Sequence, residues 1–197
     1  MVRRARSGSL RRLRGANALA MVLAIIALCL ACAPMAHATS AGTGAKTVFP
    51  DVSATTPHAE DITWLAENGI STGFPDGTFR GGDAVTRQDM AAFLRRLARL
   101  MGDESAAEDK AYTCSFKDVT DATPHADDIA WLAETGISTG YPDNTFRGMA
   151  PVCRQDMAAF LRRLAAREGV GGAKGWDGEP GGFPDVGATA DHAADIA

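Results

Sequence analysis

Hydrophobic residues along this chain follow the spacing of amphipathic helices, and the pattern repeats every 67 residues. One segment has apolar residues at relative positions 0, 3, 4, 7 and 11, which all lie on one face of a helix. These residues are Met90, Phe93, Leu94, Leu97 and Met101. A shorter apolar face precedes it, and its residues are Ile62, Leu65 and Ala66. This face predicts a first helix that starts at Thr56 and Pro57 and ends at Gly69. Each repeat is therefore expected to fold as helix, loop, helix.

A Phe-x-Asp-Val motif opens each repeat, at Phe49, Phe116 and Phe183. Residues 49–98 and 116–165 agree at 37 of 50 aligned positions, which marks the chain as an array of related units. Two helices of this size cannot enclose a core, so we expect each repeat to bury its apolar face against its neighbours. The third repeat is expected to be incomplete, because it contains only the start of a first helix.

Segments rich in Gly, Ala, Asp and Glu separate the repeats and are typical of linkers. The predicted segments are a signal peptide at 1–38, a linker at 39–46, repeat 1 at 47–101, a linker at 102–113, repeat 2 at 114–168, a Gly-rich linker at 169–181 and a partial repeat 3 at 182–197. The loop of repeat 1 contains a Pro-Asp-Gly turn, and Asn144 takes the place of Gly77 in repeat 2. Both residue types tolerate a positive φ, so we expect the two loops to share one backbone conformation.

The N-terminal segment has the three parts of a secretory signal peptide. It carries six arginines and no acidic residue, then an apolar stretch at 16–33, then the cleavage pattern Ala36-His37-Ala38. A membrane anchor is the alternative, because the stretch is close to the roughly 18 residues that span a bilayer. Lipidation at Cys32 is a further alternative. Cleavage would change the net charge from −4 to −10, so we expect neither nucleic acid nor, after cleavage, a membrane as partner.

Four motifs together resemble the S-layer homology (SLH) repeat. They are Phe-x-Asp-Val, the helix end Trp-Leu-Ala-x-x-Gly-Ile, the turn Pro-Asp-Gly-Thr-Phe, and Val-Thr-Arg-Gln-Asp at 85–89. The last resembles the family signature Ile-Thr-Arg-Ala-Glu, and Val-Cys-Arg-Gln-Asp at 152–156 is its counterpart. The resemblance implies an all-α fold in which tandem helix-loop-helix repeats pack around a shared bundle with pseudo-three-fold symmetry. It also implies non-covalent attachment to a secondary cell-wall polysaccharide linked to peptidoglycan, often pyruvylated.

The predicted glycan site centres on Arg87 and Arg154. A pyruvate ketal carries a carboxylate, and a guanidinium group can bond a carboxylate in two places. Both arginines lie in the first turn of a second helix, where unpaired NH groups and the helix dipole favour an anion. The other residues of the predicted site are Thr86, Asp89, Asp156, Trp64 and Trp131. In the alternative interpretation Arg87 pairs with Asp89 or extends into water, and the tryptophans seal the contact between repeats.

Other recurring residues have structural explanations. Asp76 and Asp143 are expected to be turn residues rather than sugar ligands. His58 and His125 each follow a proline at a helix start, and His192 occupies the equivalent position, so we expect no metal site and no cofactor. The motifs of known catalytic sites do not occur in the sequence, so we do not expect an enzyme.

The remaining cysteines, Cys114 and Cys153, replace Thr47 and Thr86 of repeat 1. Two such changes in one repeat of an exported chain predict a disulfide, and two free buried thiols are the alternative.

The sequence therefore supports three hypotheses for function. The first is a module that anchors an exported protein to the cell wall. The second is the targeting part of a larger exported hydrolase or adhesin, and the third is a self-assembling structural protein of the surface layer. Two repeats and a fragment would also expose apolar surface, which predicts self-association through the incomplete third repeat.

Overall fold

The computed structural model describes residues 48–176, 183–187 and 189–196. The predicted signal peptide at 1–38, the linker at 39–46 and residues 177–181 of the Gly-rich linker lie outside them. The described residues form α1 (Ala59–Glu67), α2 (Arg87–Met101), α3 (Ala126–Glu134), α4 (Arg154–Arg167) and α5 (Ala193–Ile196), with a 3-10 helix at Glu104–Ala106.

Within these residues no strand forms, and an isolated antiparallel bridge joins Thr86 and Pro151. The prediction of a helical chain is confirmed for this part. None of its helices combines the length and apolar character needed to cross a bilayer.

The first helix of each repeat starts directly after a histidine with a left-handed backbone. The φ angles are 61° at His58, 61° at His125 and 60° at His192. The predicted start at Thr56 and Pro57 is therefore wrong, because these residues form a turn that precedes α1. A positive φ is uncommon outside glycine, so its recurrence at three equivalent positions indicates one shared backbone path.

The second helices start as the sequence predicts, but only one of them is capped by a side chain. The Thr86 hydroxyl oxygen accepts a hydrogen bond from the Asp89 NH at 3.3 Å and donates one to the Asp89 carboxylate at 2.7 Å. At the start of α4, Cys153 stands in the equivalent position and forms no side-chain capping bond.

The predicted disulfide is not formed, since Cys114 and Cys153 are free thiols. The Cys114 side chain is half-buried and packs against the main hydrophobic cluster, whereas Cys153 is exposed at the start of α4. Both thiols are free, as in the alternative, but the expectation that both are buried is wrong for Cys153.

The main hydrophobic cluster contains side chains from both complete repeats. Its large buried side chains from α2, α3 and α4 are Met90, Leu94, Leu97, Ile129, Trp131, Leu132, Phe160 and Leu164. Burial of a side chain of this size stabilises the fold by about 1.5–3 kcal/mol. Two helix contacts join neighbouring repeats: α2 packs on α3, and α4 packs on α5. In each contact the second helix of one repeat meets the first helix of the next.

The loop between the two helices has the same conformation in both complete repeats. The φ angle is 81° at Gly77 and 62° at Asn144, so the predicted sharing of a positive φ is confirmed. A second glycine is required in this loop, because a Cβ on Gly140 would lie 2.2 Å from the ring of Phe116.

Candidate functional site

Aspartates hold the loop of each repeat in place. The Asp51 carboxylate of the Phe-x-Asp-Val motif accepts hydrogen bonds from the backbone NH groups of Phe79 at 2.8 Å and Arg80 at 2.7 Å. These bonds, that of Phe79 first, lower the pKa of Asp51 below its ordinary value. In repeat 2, Asp118 makes the same bonds across an equal separation in sequence.

The turn aspartates bond within their own turns. The Asp76 carboxylate accepts from the Thr78 hydroxyl at 2.6 Å and from Arg80 at 2.6 Å. Asp143 accepts from the equivalent residues of repeat 2. These contacts agree with the expectation that both aspartates are turn residues.

The loop of repeat 2 covers the start of α2. The backbone NH of Arg87 donates to the Ala150 carbonyl at 2.9 Å, and that of Gln88 donates to the Gly148 carbonyl at 2.9 Å. These are the NH groups that the sequence analysis assigned to an anion. Because carbonyl oxygens already accept from them, they do not offer the anion site that we predicted there.

Arg87 itself is buried at the junction between repeats 1 and 2, with 4% of its surface exposed. Its Nε donates to the Phe146 carbonyl at 2.8 Å, and its Nη1 lies 2.5 Å from the Asp156 carboxylate. The guanidinium group also lies 4.9–5.4 Å from the ring centres of Tyr141, Phe146 and Phe160. This burial argues against direct contact between Arg87 and a glycan. It also differs from the alternative in the sequence analysis, because the partner is Asp156 rather than Asp89.

The other predicted site residues differ in how far they are exposed to solvent. Arg154, the counterpart of Arg87, is exposed. Trp131 is fully buried, with its Nε1 donating to the Ser105 hydroxyl oxygen at 3.1 Å, so its ring is closed to a sugar. Trp64 is partly buried against the main cluster. In the alternative interpretation the tryptophans seal the contact between repeats. The burial of Trp131 agrees better with that interpretation than with stacking on a sugar.

A groove of about 490 Å³ lies between repeats 1 and 2. Three arginines of α2 line one side, and acidic and hydroxyl-bearing residues of repeat 2 line the other. The arginines are Arg95, Arg96 and Arg99, and the facing residues include Asp121, Thr123, His125, Asp127 and Asp128. None of these three arginines was among the site residues predicted from the sequence. Arg95 and Arg99 are four residues apart and so lie on neighbouring turns of α2, and Arg96 is next to Arg95 in sequence. This cluster of arginines was the signal in the sequence for a shared groove.

Arg95 is the most buried of the three, with 4% of its surface exposed. Its Nη2 donates to the carbonyls of Ala107 and Lys110 at 2.7 Å each, and its Nη1 lies 3.4 Å from the Asp128 carboxylate. Within the described residues, the Arg95 Nε is buried and has no hydrogen-bond partner. An unpaired buried donor costs free energy in the folded chain.

Arg96 and Arg99 leave donors available toward the same groove. To the described residues, Arg96 donates one bond, to the Ile70 carbonyl at 3.0 Å, out of the five NH groups of a guanidinium. Arg99 pairs with Glu108, whose side chain is 82% exposed. An exposed ion pair of this kind is worth little and is readily exchanged for another anion.

Histidines lie between carboxylates at both helix contacts. His125 Nδ1 lies 3.2 Å from Asp128 and its Nε2 lies 3.7 Å from Asp89. His192 has the same two neighbours in the next contact, Asp195 at 3.4 Å and Asp156 at 3.4 Å. Among the described residues, no group of three or more His, Cys, Asp and Glu side chains has the geometry to hold a metal ion.

A model described as "S-layer homology domain" matches residues 48–91 and 115–158. These two ranges contain the first helix, the loop and the start of the second helix of each complete repeat.

Proteins with similar sequences include two from Acetivibrio thermocellus and one from Thermus thermophilus. The chain is 29% identical over 150 residues to "Cell surface glycoprotein 1" of Acetivibrio thermocellus, which is 75% of this chain and 6% of that protein. It is 28% identical over 134 residues to "Cellulosome-anchoring protein" of the same organism, 68% of this chain and 29% of that protein. It is 43% identical over 56 residues to "Outer membrane protein SlpA" of Thermus thermophilus, 28% of this chain and 6% of that protein. The matches thus span less than a third of each relative.

Proposed function

We propose that this chain, which carries two S-layer homology domains, holds an exported protein at the cell surface without a covalent bond. The role is anchoring rather than catalysis. Support comes from the relatives, which are named as a surface glycoprotein, an anchoring protein and an outer-membrane protein. The proposed partner is an anionic polymer of the cell wall, in the simplest case a pyruvylated polysaccharide linked to peptidoglycan.

The groove between repeats 1 and 2 is the proposed binding site, and the cluster of Arg95, Arg96 and Arg99 is the observation that carries it. The protein is acidic as a whole, so an anionic polymer needs a local group of cations to bind. A carboxylate accepts two parallel bonds from a guanidinium group, which fixes its orientation as well as its position.

The opposite wall of the groove suits the rest of a sugar. Carboxylates such as Asp127 accept hydrogen bonds from sugar hydroxyl groups, and Thr123 both donates and accepts. A ligand with an acidic substituent on a hydroxyl-rich ring therefore matches both walls. A simple polyanion would match only the arginine side.

The residues of the initial site prediction take different roles in this proposal. Arg154 is exposed and serves as a second contact for the polymer. Arg87 and Asp156 hold the two repeats together, and Thr86 and Asp89 cap α2. Trp131 is part of the core, and Trp64 packs against it. The pseudo-three-fold arrangement of a complete array remains part of the proposal.

A second candidate role is the targeting part of a larger exported hydrolase or adhesin, or of a structural protein of the surface layer. It is favoured by the length of the relatives, because the matched region covers less than a third of each of them. The same groove would then attach a different cargo, so this role is compatible with wall binding.

Sedimentation of residues 39–197 with purified walls tests the proposal. We expect the protein to pellet with walls that carry the secondary polymer and to remain in the supernatant with walls stripped of it. Soluble pyruvylated sugar should release the bound protein, and the same sugar without its carboxylate should not. Equal binding to both wall preparations would contradict the proposal.

A further inference from the structure

The contact between α2 and α3, which forms the groove, has a counterpart 67 residues further along the chain, where α4 packs on α5. At the α2–α3 contact Arg95 pairs with Asp128. At the α4–α5 contact the equivalent residues, Arg162 and Asp195, form the same pair. A histidine lies between two carboxylates at both contacts. The two contacts therefore share the charged side chains that join their helices.

The arginine side of the groove differs between the two contacts at Arg99. The sequences of α2 and α4 are identical from their first residues up to the residue before Arg99, so the other two groove arginines have counterparts. Ala166 takes the place of Arg99. The ion-pair partner of Arg99 is replaced as well, since Gly175 stands where repeat 1 is followed by Glu108. The α4–α5 contact thus lacks the arginine that pairs with an exposed carboxylate.

The opposite side of the groove differs at two exposed carboxylates. Asp121 and Asp127 line the groove, and Ala188 and Ala194 take their places in the sequence of the third repeat. Within the part of the chain that the structure describes, neither aspartate forms a hydrogen bond or an ion pair. Asp128, which does pair across the contact, has its counterpart in Asp195. The side chains that differ are therefore not the ones that hold α3 on α2.

The arginines that remain at the α4–α5 contact are neutralised within the protein. Arg162 and Arg163 both pair with Asp195, whose side chain is 6% exposed. Displacing a buried carboxylate from two guanidinium groups is costly, because it leaves charged groups without a partner in a site that water reaches poorly. Arg99 pairs instead with the 82% exposed Glu108, and such a pair exchanges readily. A carboxylate of a ligand thus finds a replaceable partner at the α2–α3 contact.

We propose that Arg99 and Asp127, one from each side of the groove, decide which contact binds the polymer. Arg99 takes the carboxylate of the ligand, and Asp127 accepts hydrogen bonds from sugar hydroxyl groups. The α4–α5 contact lacks both residues and binds no sugar, so the chain has one site for a pyruvylated sugar. This inference rests on the proposed function, and it adds which residues of the groove determine binding and how many sites the chain carries.

Calorimetric titration with a soluble pyruvylated monosaccharide, at protein concentrations above the dissociation constant, provides the first test. We expect one sugar bound to each unchanged chain. Arg99→Ala/Asp127→Ala should weaken binding at least about ten-fold, because it removes a hydrogen bond to a charged group. The matched control is Arg147→Ala/Glu134→Ala, which removes one exposed cation and one exposed carboxylate outside the groove and should leave the affinity unchanged.

Transfer of the two residues to the other contact provides the second test. Ala166→Arg/Ala194→Asp should raise the number of sugars bound to each chain from one to two. Ala166→Gln/Ala194→Asn adds side chains of similar shape without their charges and should leave the number at one. Circular dichroism checks that each variant keeps its helices.

Three results would overturn the inference while wall binding stands. The first is two sugars bound to each unchanged chain, and the second is an Arg99→Ala/Asp127→Ala protein with the affinity of the unchanged chain. The third is an Ala166→Arg/Ala194→Asp protein that keeps its helical signal and still binds one sugar. An unchanged chain that binds no pyruvylated sugar and does not pellet with walls would contradict the proposed function, and this inference with it.

Discussion

Replacing Arg87 with alanine should destabilise the protein far more than the same change at Arg154. Arg87 joins repeat 1 to repeat 2 through the Phe146 carbonyl at 2.8 Å and the Asp156 carboxylate at 2.5 Å. The Arg87 and Asp156 side chains are only 5% and 14% exposed, so solvent screens this pair little. Arg87→Ala leaves a largely buried carboxylate without its cation.

Breaking a buried pair by removing one partner costs about 3–5 kcal/mol. We therefore expect Arg87→Ala to lower the free energy of unfolding by about 3–5 kcal/mol, measured by urea denaturation with circular dichroism. Arg154→Ala removes an exposed arginine at the equivalent position and should cost about 0.5 kcal/mol or less.

A double-mutant cycle separates the pair from its surroundings. Asp156→Asn alone should destabilise the protein, and the same change should cost at least about 1 kcal/mol less once Arg87 is alanine. If Arg87→Ala costs no more than Arg154→Ala, or if the two changes are additive, Arg87 does not hold the repeats together.

Three further changes test separate parts of the structure. Cys153→Thr should stabilise the protein by about 1 kcal/mol in urea denaturation, because it restores the missing cap of α4. Gly140→Ala should destabilise by about 3 kcal/mol or more in the same assay, since its Cβ would lie 2.2 Å from the Phe116 ring at a φ of 66°. Burial, and then the charge of a neighbouring aspartate, raises the pKa of Glu168 to about 7. The folded state therefore holds this proton more tightly than the unfolded chain, and the stabilisation present below about pH 4.5 is lost as the pH rises to 7. With allowance for solvent screening the loss should be about 1 kcal/mol, and Glu168→Gln should abolish it in thermal melts across that range.

Each of these changes has a matched control. Cys153→Ala has no hydroxyl and should give no gain. Gly136→Ala has a similar φ of 71° but no atom within 4 Å of the new Cβ, so it should cost only about 1 kcal/mol. A pH profile of Glu168→Gln that equals that of the unchanged protein would refute the assignment of the pH dependence to this carboxyl group.

Local features of the fold follow from the sequence, and contacts between repeats do not. The apolar face of α2, its Thr86 cap and the positive φ at Gly77 depend on residues within a few positions of each other. The partner of Arg87 lies 69 residues away, and nothing in the sequence around Arg87 identifies it. The carbonyls that cover the start of α2 also come from the other repeat.

The two complete repeats are nearly identical in sequence, but some equivalent side chains differ in burial. Arg87 is buried and Arg154 is exposed, although the residues around them differ within two positions only at Thr86 and Cys153. Trp131 is fully buried, while Trp64 is only partly so. A repeat pattern predicts which side chains face a neighbouring repeat, but whether a neighbour is present at each face is a property of the assembled array.

The most direct test of the central claim is the affinity of a soluble, polymer-derived oligosaccharide for two double variants, measured by calorimetry. Arg96→Ala/Arg99→Ala removes two cations from the groove, and Arg80→Ala/Arg147→Ala removes two exposed cations from the loops. Both lose the same charge, so a general electrostatic effect would weaken them equally. A lost hydrogen bond to a charged group costs about 1.5–3 kcal/mol, so the groove variant should bind at least about ten-fold more weakly than the loop variant. Equal dissociation constants for the two variants would contradict the account.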